Sequence, residues 1–125
     1  MEGYEVKVKE CSKNLTGKER VAIKDISNAL KLDTIVTPDS RVEIVPDFTA
    51  LLDVHNENAE NKDYEIFVIV AKDGNKYITS SKSFISSFKG IEEEMQDESD
   101  EWGIEVYKIE SKNFKGRYFL TCSII

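Results

Sequence analysis

The sequence predicts a mostly β fold in which one main helix accompanies six to seven strands. Three observations lead to this prediction: most of the chain alternates between apolar and polar residues, an Asp-Gly pair separates two β-rich runs, and one stretch has a helical period. The 125 residues, 1–125, have the size of a single domain. The economical arrangement is a small, closed or nearly closed β-barrel whose open end the helix covers. An open antiparallel sheet with a helix on one face is the alternative.

The chain begins with two segments of period two. Residues 4–11 alternate between apolar and charged side chains, which predicts a half-buried strand. Residues 14–18 have the composition of a turn, and residues 20–26 alternate again. We therefore expect a hairpin between these two strands, followed by one helical turn over residues 27–32 that Ser27 caps.

The middle of the chain predicts long strands. Residues 37–40 favour a turn. Residues 41–54 favour an extended region that Pro46 interrupts, because proline has no N–H to donate to a sheet ladder. A polar loop is expected over residues 56–63. Residues 64–71 are the most apolar segment, and their continuous run predicts a central strand that is buried on both faces.

The last third of the chain predicts a hairpin, a helix and a second hairpin. The Asp-Gly pair is the sharpest hairpin signal, and the helix has one apolar stripe that Ser81 or Ser83 caps. Trp102 is expected to anchor the packing between this helix and the next strand. The segments are a turn at residues 72–75, a strand at 76–79, the helix at 81–96, a strand at 104–109, a turn at 112–116 and a strand at 117–125.

Composition excludes several classes of protein. The formal net charge of −7 and the pI of about 4.8 exclude a generally basic nucleic-acid binder but leave room for a local basic groove. No apolar run approaches the ~18 residues of a membrane span, and the N-terminal residues lack the pattern of a signal peptide. Cys11 and Cys122 are too few for a disulfide scaffold or a four-ligand zinc site. We expect two reduced, mostly buried thiols and a cytoplasmic protein, in the host cytoplasm if it is viral.

Enzymatic function is the weaker hypothesis. The one histidine, His55, lies in a polar stretch, and no nucleophile elbow, phosphate-binding loop, dinucleotide fingerprint or zinc-protease motif is present. Chemistry based on carboxylates alone stays open, because the chain has 24 acidic residues. The sequence therefore predicts no catalytic residues, no cofactor and no metal.

The negative charge is concentrated in one run, from Glu92 to Glu101, which has no Lys or Arg. Without these acids the net charge of the chain is zero. The run fits a solvated loop, metal capture, a contact for a replication-protein partner, or repulsion that keeps DNA off that side. Its spacing does not match a calcium loop. The acids are Glu92, Glu93, Glu94, Asp97, Glu98, Asp100 and Glu101.

Basic residues interleave with aromatic residues in the predicted hairpins. This combination suits single-stranded nucleic acid, because cations follow the phosphates and rings stack on the bases. An amphipathic strand with lysine outside and tyrosine inside gives the same pattern, so both interpretations stay open. Phe114 is the strongest candidate, because it lies in a turn with no obvious core to enter. The first hairpin also contributes Lys13.

Three segments within residues 63–125 follow one another in a characteristic order: Ala71-Lys-Asp-Gly-Asn-Lys-Tyr77, the strand at 104–108, and the Lys-Gly hairpin with its final strand at 111–120. In these segments the chain resembles the small single-stranded DNA-binding proteins of tailed bacteriophages. The resemblance implies an OB-fold, a five- to seven-stranded antiparallel barrel. The chain departs from bacterial relatives that end in an acidic tail, because its own acidic run is internal.

The resemblance implies sequence-independent binding of single-stranded DNA, without catalysis, that protects the strand during replication or recombination. RNA stays open as the ligand, and the chain is expected to be a monomer or a homodimer. The expected stacking residues are Tyr77, Tyr107 and Phe114. The expected phosphate contacts are Lys7, Lys9, Lys76, Lys112, Lys115 and Arg117.

Two other functions remain as alternatives. The low pI favours an acidic phage inhibitor that mimics DNA, although one dense acidic loop is a poor imitation of evenly spaced phosphates. Exposed strand edges and the apolar C-terminus favour a virion component or adaptor that associates through strand pairing.

Overall fold

The computed structural model describes residues 4–12, 14–58, 60, 62–98 and 101–125. The predictions that involve Lys13, Asp100 and the residues before Tyr4 lie outside these ranges. Within them the chain is 45% strand and 22% helix, which confirms the mostly β fold. The elements are β1 (Tyr4–Cys11), α1 (Gly17–Lys24), β2 (Leu30–Lys31), α2 (Leu32–Ile35), β3 (Val42–Ile44), β4 (Pro46–Asn56), β5 (Asp63–Ala71), β6 (Lys76–Thr79), α3 (Lys82–Met95), β7 (Ile104–Glu110) and β8 (Tyr118–Ile124).

The described strands form two sheets rather than one closed barrel. One sheet has the order β1-β4-β5-β6-β2 and the other has the order β3-β7-β8. The extended region at 41–54 divides where Pro46 was expected to interrupt it, and its two parts, β3 and β4, pair with different strands. The prediction of a closed barrel is therefore wrong for the described residues, and the OB-fold stays a prediction.

The chain divides into two compact units: unit 1 is Met1–Leu30 with Asp47–Ser80, and unit 2 is Lys31–Pro46 with Ser81–Ile125. In unit 1, one hydrophobic cluster joins β4, β5, β6 and α1. β5 is buried on both faces, as its continuous apolar run predicted. The cluster consists of Ile23, Phe48, Ala50, Leu52, Val54, Ile66, Val68 and Ile78.

A helix replaces the predicted strand at residues 20–26. The Thr16 hydroxyl accepts a hydrogen bond from the Glu19 amide (3.2 Å), and the Glu19 carboxylate accepts one from the Thr16 amide (3.0 Å). This capping box satisfies two donors that the start of a helix otherwise leaves unpaired, and it turns the expected turn at 14–18 into the start of α1. β1 consequently pairs with β4, antiparallel, and not with residues 20–26.

The prediction for residues 27–32 was also inaccurate. Ser27 lies in a turn and does not cap a helix; its hydroxyl donates to the Asp25 carboxylate (2.6 Å). Leu30 is in the two-residue strand β2, and α2 begins only at Leu32, which is buried. By contrast, the turn at residues 37–40 is confirmed by reciprocal backbone hydrogen bonds.

The hairpin between β5 and β6 is confirmed. Gly74 has a φ of 92°, a backbone conformation that a residue with a Cβ rarely adopts. The Asp73 carboxylate accepts a hydrogen bond from the Asn75 amide (2.9 Å), which fixes the turn.

Unit 2 contains a three-stranded antiparallel sheet and the helix α3. Ser81 caps α3 as predicted, and Phe84 and Phe88 are fully buried on its inner stripe. The Trp102 ring lies 6.0 Å from that of Phe88, which confirms Trp102 as a packing anchor. The Ser83 hydroxyl donates to the Leu120 carbonyl (2.8 Å), so α3 lies along the outer edge of β8.

The two cysteines differ in environment. Cys122 is buried in β8, and burial raises the pKa of its thiol to about 12. Cys11 is exposed at the end of β1, an edge strand, so the expectation that it is buried was wrong. Among the described helices, none combines the length and the hydropathy needed to cross a bilayer.

Candidate nucleic-acid interface

The sheet of unit 2 has one buried face and one open face. The register pairs Val106 with Cys122 and Lys108 with Leu120, so the buried side chains of β7 and β8 share one face. The residues between them point the opposite way, because side chains alternate along a strand. We call this opposite surface the open face; its residues are Glu43, Glu105, Tyr107, Ile109, Phe119, Thr121 and Ser123, together with Arg41, which contacts Glu105 and Tyr107.

The outer end of the open face is apolar. Ile109 and Phe119 are directly opposite each other in the register, and they are 41% and 38% exposed. Tyr118, the next residue, points to the other face and is 47% exposed. Alternation along β8 does not by itself give the direction of Tyr118, because apolar residues occupy both of its faces; the pairing of β8 with β7 does. Since Ile109 and Phe119 are both exposed, their side chains are available to contact a ligand.

The tip of the β7–β8 hairpin presents Phe114 to solvent. Its side chain is 60% exposed, and the guanidinium of Arg117 lies 5.4 Å from the ring centroid. The Arg117 amide donates to the Phe114 carbonyl (3.1 Å), and the Ser111 amide donates to the Arg117 carbonyl (2.8 Å). Gly116 takes a φ of 81°, and its amide donates to the Glu110 carboxylate (3.2 Å). These contacts hold an exposed ring in a defined turn.

Tyr107 lies near the middle of the open face and is half-buried. Its hydroxyl hydrogen-bonds with that of Ser123 (2.6 Å), and the guanidinium of Arg41 lies 4.6 Å from its ring centroid. Arg41 also donates to the Glu105 carboxylate (2.9 Å). Tyr107 therefore has a fixed ring, one side of which carries a cation.

Five of the predicted contact residues belong to the β7–β8 hairpin. Lys112, Lys115 and Arg117 are exposed around Phe114, while Tyr107 follows on the open face. The alternation of side chains within each segment does not show that Arg41, Ile109 and Phe119 share this surface, so they were not among the residues predicted from the sequence. The only signal was the alternation of the last strand, and its outward face was not known.

The predicted cations of β1 have acidic neighbours. Lys7 is 3.4 Å from the Glu5 carboxylate, and Lys9 donates to that of Glu65 (2.7 Å), which raises the pKa of Lys9. They line an open groove of about 550 Å³ on unit 1, where Asp53 also lies. This charge balance makes the groove a poor site for a polyanion.

The other two predicted contacts are also engaged within unit 1. The ammonium of Lys76 donates to the carbonyls of Ala22 and Asp25 (2.7 Å for Asp25), at the end of α1, where a cation complements the helix dipole. Tyr77 is buried, with 6% of its surface exposed. The structure therefore disagrees with a stacking role for Tyr77, because a base needs an open ring face.

His55 lies at the end of β4, between two carboxylates. Its Nδ1 is 2.7 Å from Asp63 and its Nε2 is 2.6 Å from Glu57. These hydrogen bonds, that of Asp63 foremost and then that of Glu57, raise the pKa of His55. Nowhere in the described ranges do three or more His, Cys, Asp or Glu side chains form a group able to hold a metal ion.

The acidic run begins inside α3 and continues beyond it. α3 ends at Met95, so Glu93 and Glu94 lie in its last turn, and both are exposed. Asp97 and Glu98 follow and are also exposed, which leaves these four carboxylates in contact with solvent.

Comparison with known proteins identifies the family. The family model of the phage single-stranded DNA-binding protein matches residues 38–125, which is more than two thirds of the chain and includes all of the open face and the hairpin tip. Searches of curated proteins and of solved structures return no match. The match confirms the resemblance that the motifs of residues 63–125 indicated. The chain belongs to the family of phage single-stranded DNA-binding proteins.

Proposed function

We propose that this protein binds single-stranded DNA without sequence preference, through the open face and the hairpin tip of unit 2. In this role it protects single strands during replication or recombination. The observation that carries the proposal is one hairpin that exposes Phe114 and Phe119 beside Lys112, Lys115 and Arg117. The matched family segment contains the whole hairpin.

The chemistry of these side chains accounts for binding without base readout. Every base has a π face, so a ring that stacks on it contributes about 1–3 kcal/mol whatever the sequence. Exposed cations contact phosphates, which are the same in every nucleotide. The chain as a whole has a net charge of −7, so the attraction must come from a local surface.

Two neighbouring aromatic residues of β8 provide a matched test. Phe119 points to the open face and Tyr118 to the other face, and their exposures are 38% and 47%. We expect Phe119→Ala to weaken binding about fivefold or more, and Tyr118→Ala to change it by less than about twofold. Fluorescence anisotropy with labelled oligo-dT of about 30 nucleotides measures both.

The same titration tests the ligand class. Binding that weakens as salt rises and that duplex DNA does not displace supports the proposal. Equal losses for the two variants would argue against the open face, and no binding of wild type at micromolar concentration in low salt would refute the function. Oligo-dA and oligo-dC of equal length test sequence independence, with affinities expected within about tenfold of oligo-dT. An RNA oligomer tests the choice of nucleic acid.

Three finer features belong to the proposal. The exposed acids of the run from Glu92 to Glu101 serve as the contact for a replication-protein partner, since they lie outside the basic hairpin tip. An OB-type arrangement of strands is expected from the family resemblance. The chain acts by binding, without catalysis, as a monomer or a homodimer.

A further inference from the structure

Arg41 contacts both an acidic and an aromatic side chain of the open face. Arg41 bonds to Glu105 at 2.9 Å while its guanidinium lies 4.6 Å from the centroid of the Tyr107 ring. The side chain of Arg41 is 58% exposed, so it has room to move toward a ligand. The Tyr107 hydroxyl is held by Ser123, so the ring stays in place if Arg41 leaves.

A DNA phosphate offers Arg41 the same chemistry as Glu105. Both groups accept two parallel hydrogen bonds from a guanidinium, and both are anionic. An exposed ion pair contributes only about 0–1 kcal/mol, so exchange of one anion for the other is feasible. Once Arg41 has moved, the ring face of Tyr107 that it covered becomes available to a base.

We propose that Glu105 is an internal competitor of the DNA backbone. In the free protein it holds Arg41 over Tyr107; in the complex a phosphate replaces Glu105, and a base stacks on the uncovered ring. The inference rests on the function proposed above and names the regulation of the same surface. Glu105 thereby lowers the affinity of the wild-type protein and weakens its dependence on salt.

The effect on salt dependence follows from counterion release. A cation that contacts a phosphate of a single strand adds about −0.7 to the slope of log K against log salt concentration. In the wild type, Arg41 must first leave Glu105, and high salt favours the opening of that ion pair. Rising salt therefore weakens the contact of Arg41 with a phosphate but also frees Arg41 from Glu105, and these two effects partly cancel in the slope. The full contribution of Arg41 to the slope is expected only when Glu105 has lost its charge.

Glu43 offers a matched control for this reasoning. It pairs directly with Glu105 across β3 and β7, so it carries the same charge on the same face, but it is not the partner of Arg41 in the ion pair. Glu43→Gln therefore removes the same general repulsion toward DNA. Glu105→Gln removes that repulsion and also releases Arg41.

The experiment is an anisotropy titration of the full chain with labelled oligo-dT, over about 50–300 mM salt. We expect Glu105→Gln to bind about three- to fivefold more tightly than wild type at low salt. Its slope should be steeper by about 0.7. Glu43→Gln removes one acid of the open face without releasing Arg41, so it measures the general charge effect; we expect a gain of less than about twofold, with no steepening of the slope. Adding Arg41→Gln to the Glu105→Gln variant should remove both gains.

The possible outcomes distinguish the competition by Glu105 from the proposed binding of single-stranded DNA. If wild type binds oligo-dT but Glu105→Gln behaves like Glu43→Gln, the competition is refuted while the proposed function stands. If wild type does not bind, both fail. Thermal unfolding of each variant checks the fold, and midpoints close to wild type are expected because the Arg41 side chain is exposed.

Discussion

Replacement of Phe114 by alanine separates a binding role from a packing role. The ring is 60% exposed, and the contact that the structure gives it is the guanidinium of Arg117 at 5.4 Å. A cation–π contact at an exposed site is worth about 0.5–1 kcal/mol, so the free energy of unfolding should fall by about 1 kcal/mol at most. A ring that stacks on a base contributes about 1–3 kcal/mol to binding, which corresponds to a loss of roughly 5- to 150-fold in affinity.

Two assays on the same variant measure the two quantities. Urea denaturation gives the change in the free energy of unfolding, and anisotropy with labelled oligo-dT gives the change in affinity. Phe114→Trp keeps a stacking ring and is expected to bind within about threefold of wild type. A stacking role for Phe114 is refuted if Phe114→Ala binds as well as wild type. It is also refuted if the tryptophan variant loses as much affinity as the alanine variant.

Four further predictions concern the scaffold. Thr16→Ala removes one half of the capping box and should lower the free energy of unfolding by about 1 kcal/mol in urea denaturation; an unchanged value contradicts the role of the cap. Phe88→Ala empties a fully buried position and should cost about 3–5 kcal/mol by the same assay, and a loss below about 1 kcal/mol contradicts it. A thiol reagent at neutral pH should modify only Cys11 in the folded protein and Cys122 also after denaturation, whereas two rapid equivalents in the folded state contradict the burial of Cys122. The hydrogen bonds to Asp63 and Glu57 raise the pKa of His55, so the stability they give is complete below the pKa of the unfolded chain and is lost as pH rises through the higher folded value. As pH rises above about 6.5, wild type should therefore lose more stability in urea denaturation than His55→Asn, and parallel losses contradict the two hydrogen bonds.

Strongly periodic segments made much of the fold predictable. One local structure is favoured for each of three segments: the apolar run of β5, the Asp-Gly turn after it and the helical stripe of α3. A run of buried apolar residues, a glycine with positive φ and a capped amphipathic helix each specify their own structure. These elements follow from neighbours along the chain.

Short segments were less predictable, because a few apolar residues fit more than one period. Residues 20–26 alternate like a strand, yet Val21 is exposed and Ile23 alone is buried in α1. The deciding signal was the Thr16-x-x-Glu19 capping box, which lies before the alternating stretch. The number of sheets also depends on which strands pair, and that depends on contacts far apart in sequence.

The site was predictable only where the turn composition revealed exposure. Phe114 stood out because an aromatic residue in a polar turn has no core to enter. Tyr77 was misjudged because β6 is buried at Tyr77, Ile78 and Thr79 alike, so alternation gives no outward face there. Arg41 could not be found, since its place beside Tyr107 depends on the pairing of β3 with β7.

Photocross-linking tests most directly the claim that single-stranded DNA lies on the open face and the hairpin tip. An oligo-dT with iododeoxyuridine at successive positions is bound to the full chain and irradiated, and the modified peptides are sequenced by mass spectrometry. We expect cross-links at Tyr107, Phe114 and Phe119, which disappear in excess unlabelled oligo-dT. Cross-links confined to β1, β4 and β5 of unit 1, with none on the β7–β8 hairpin, would contradict this claim.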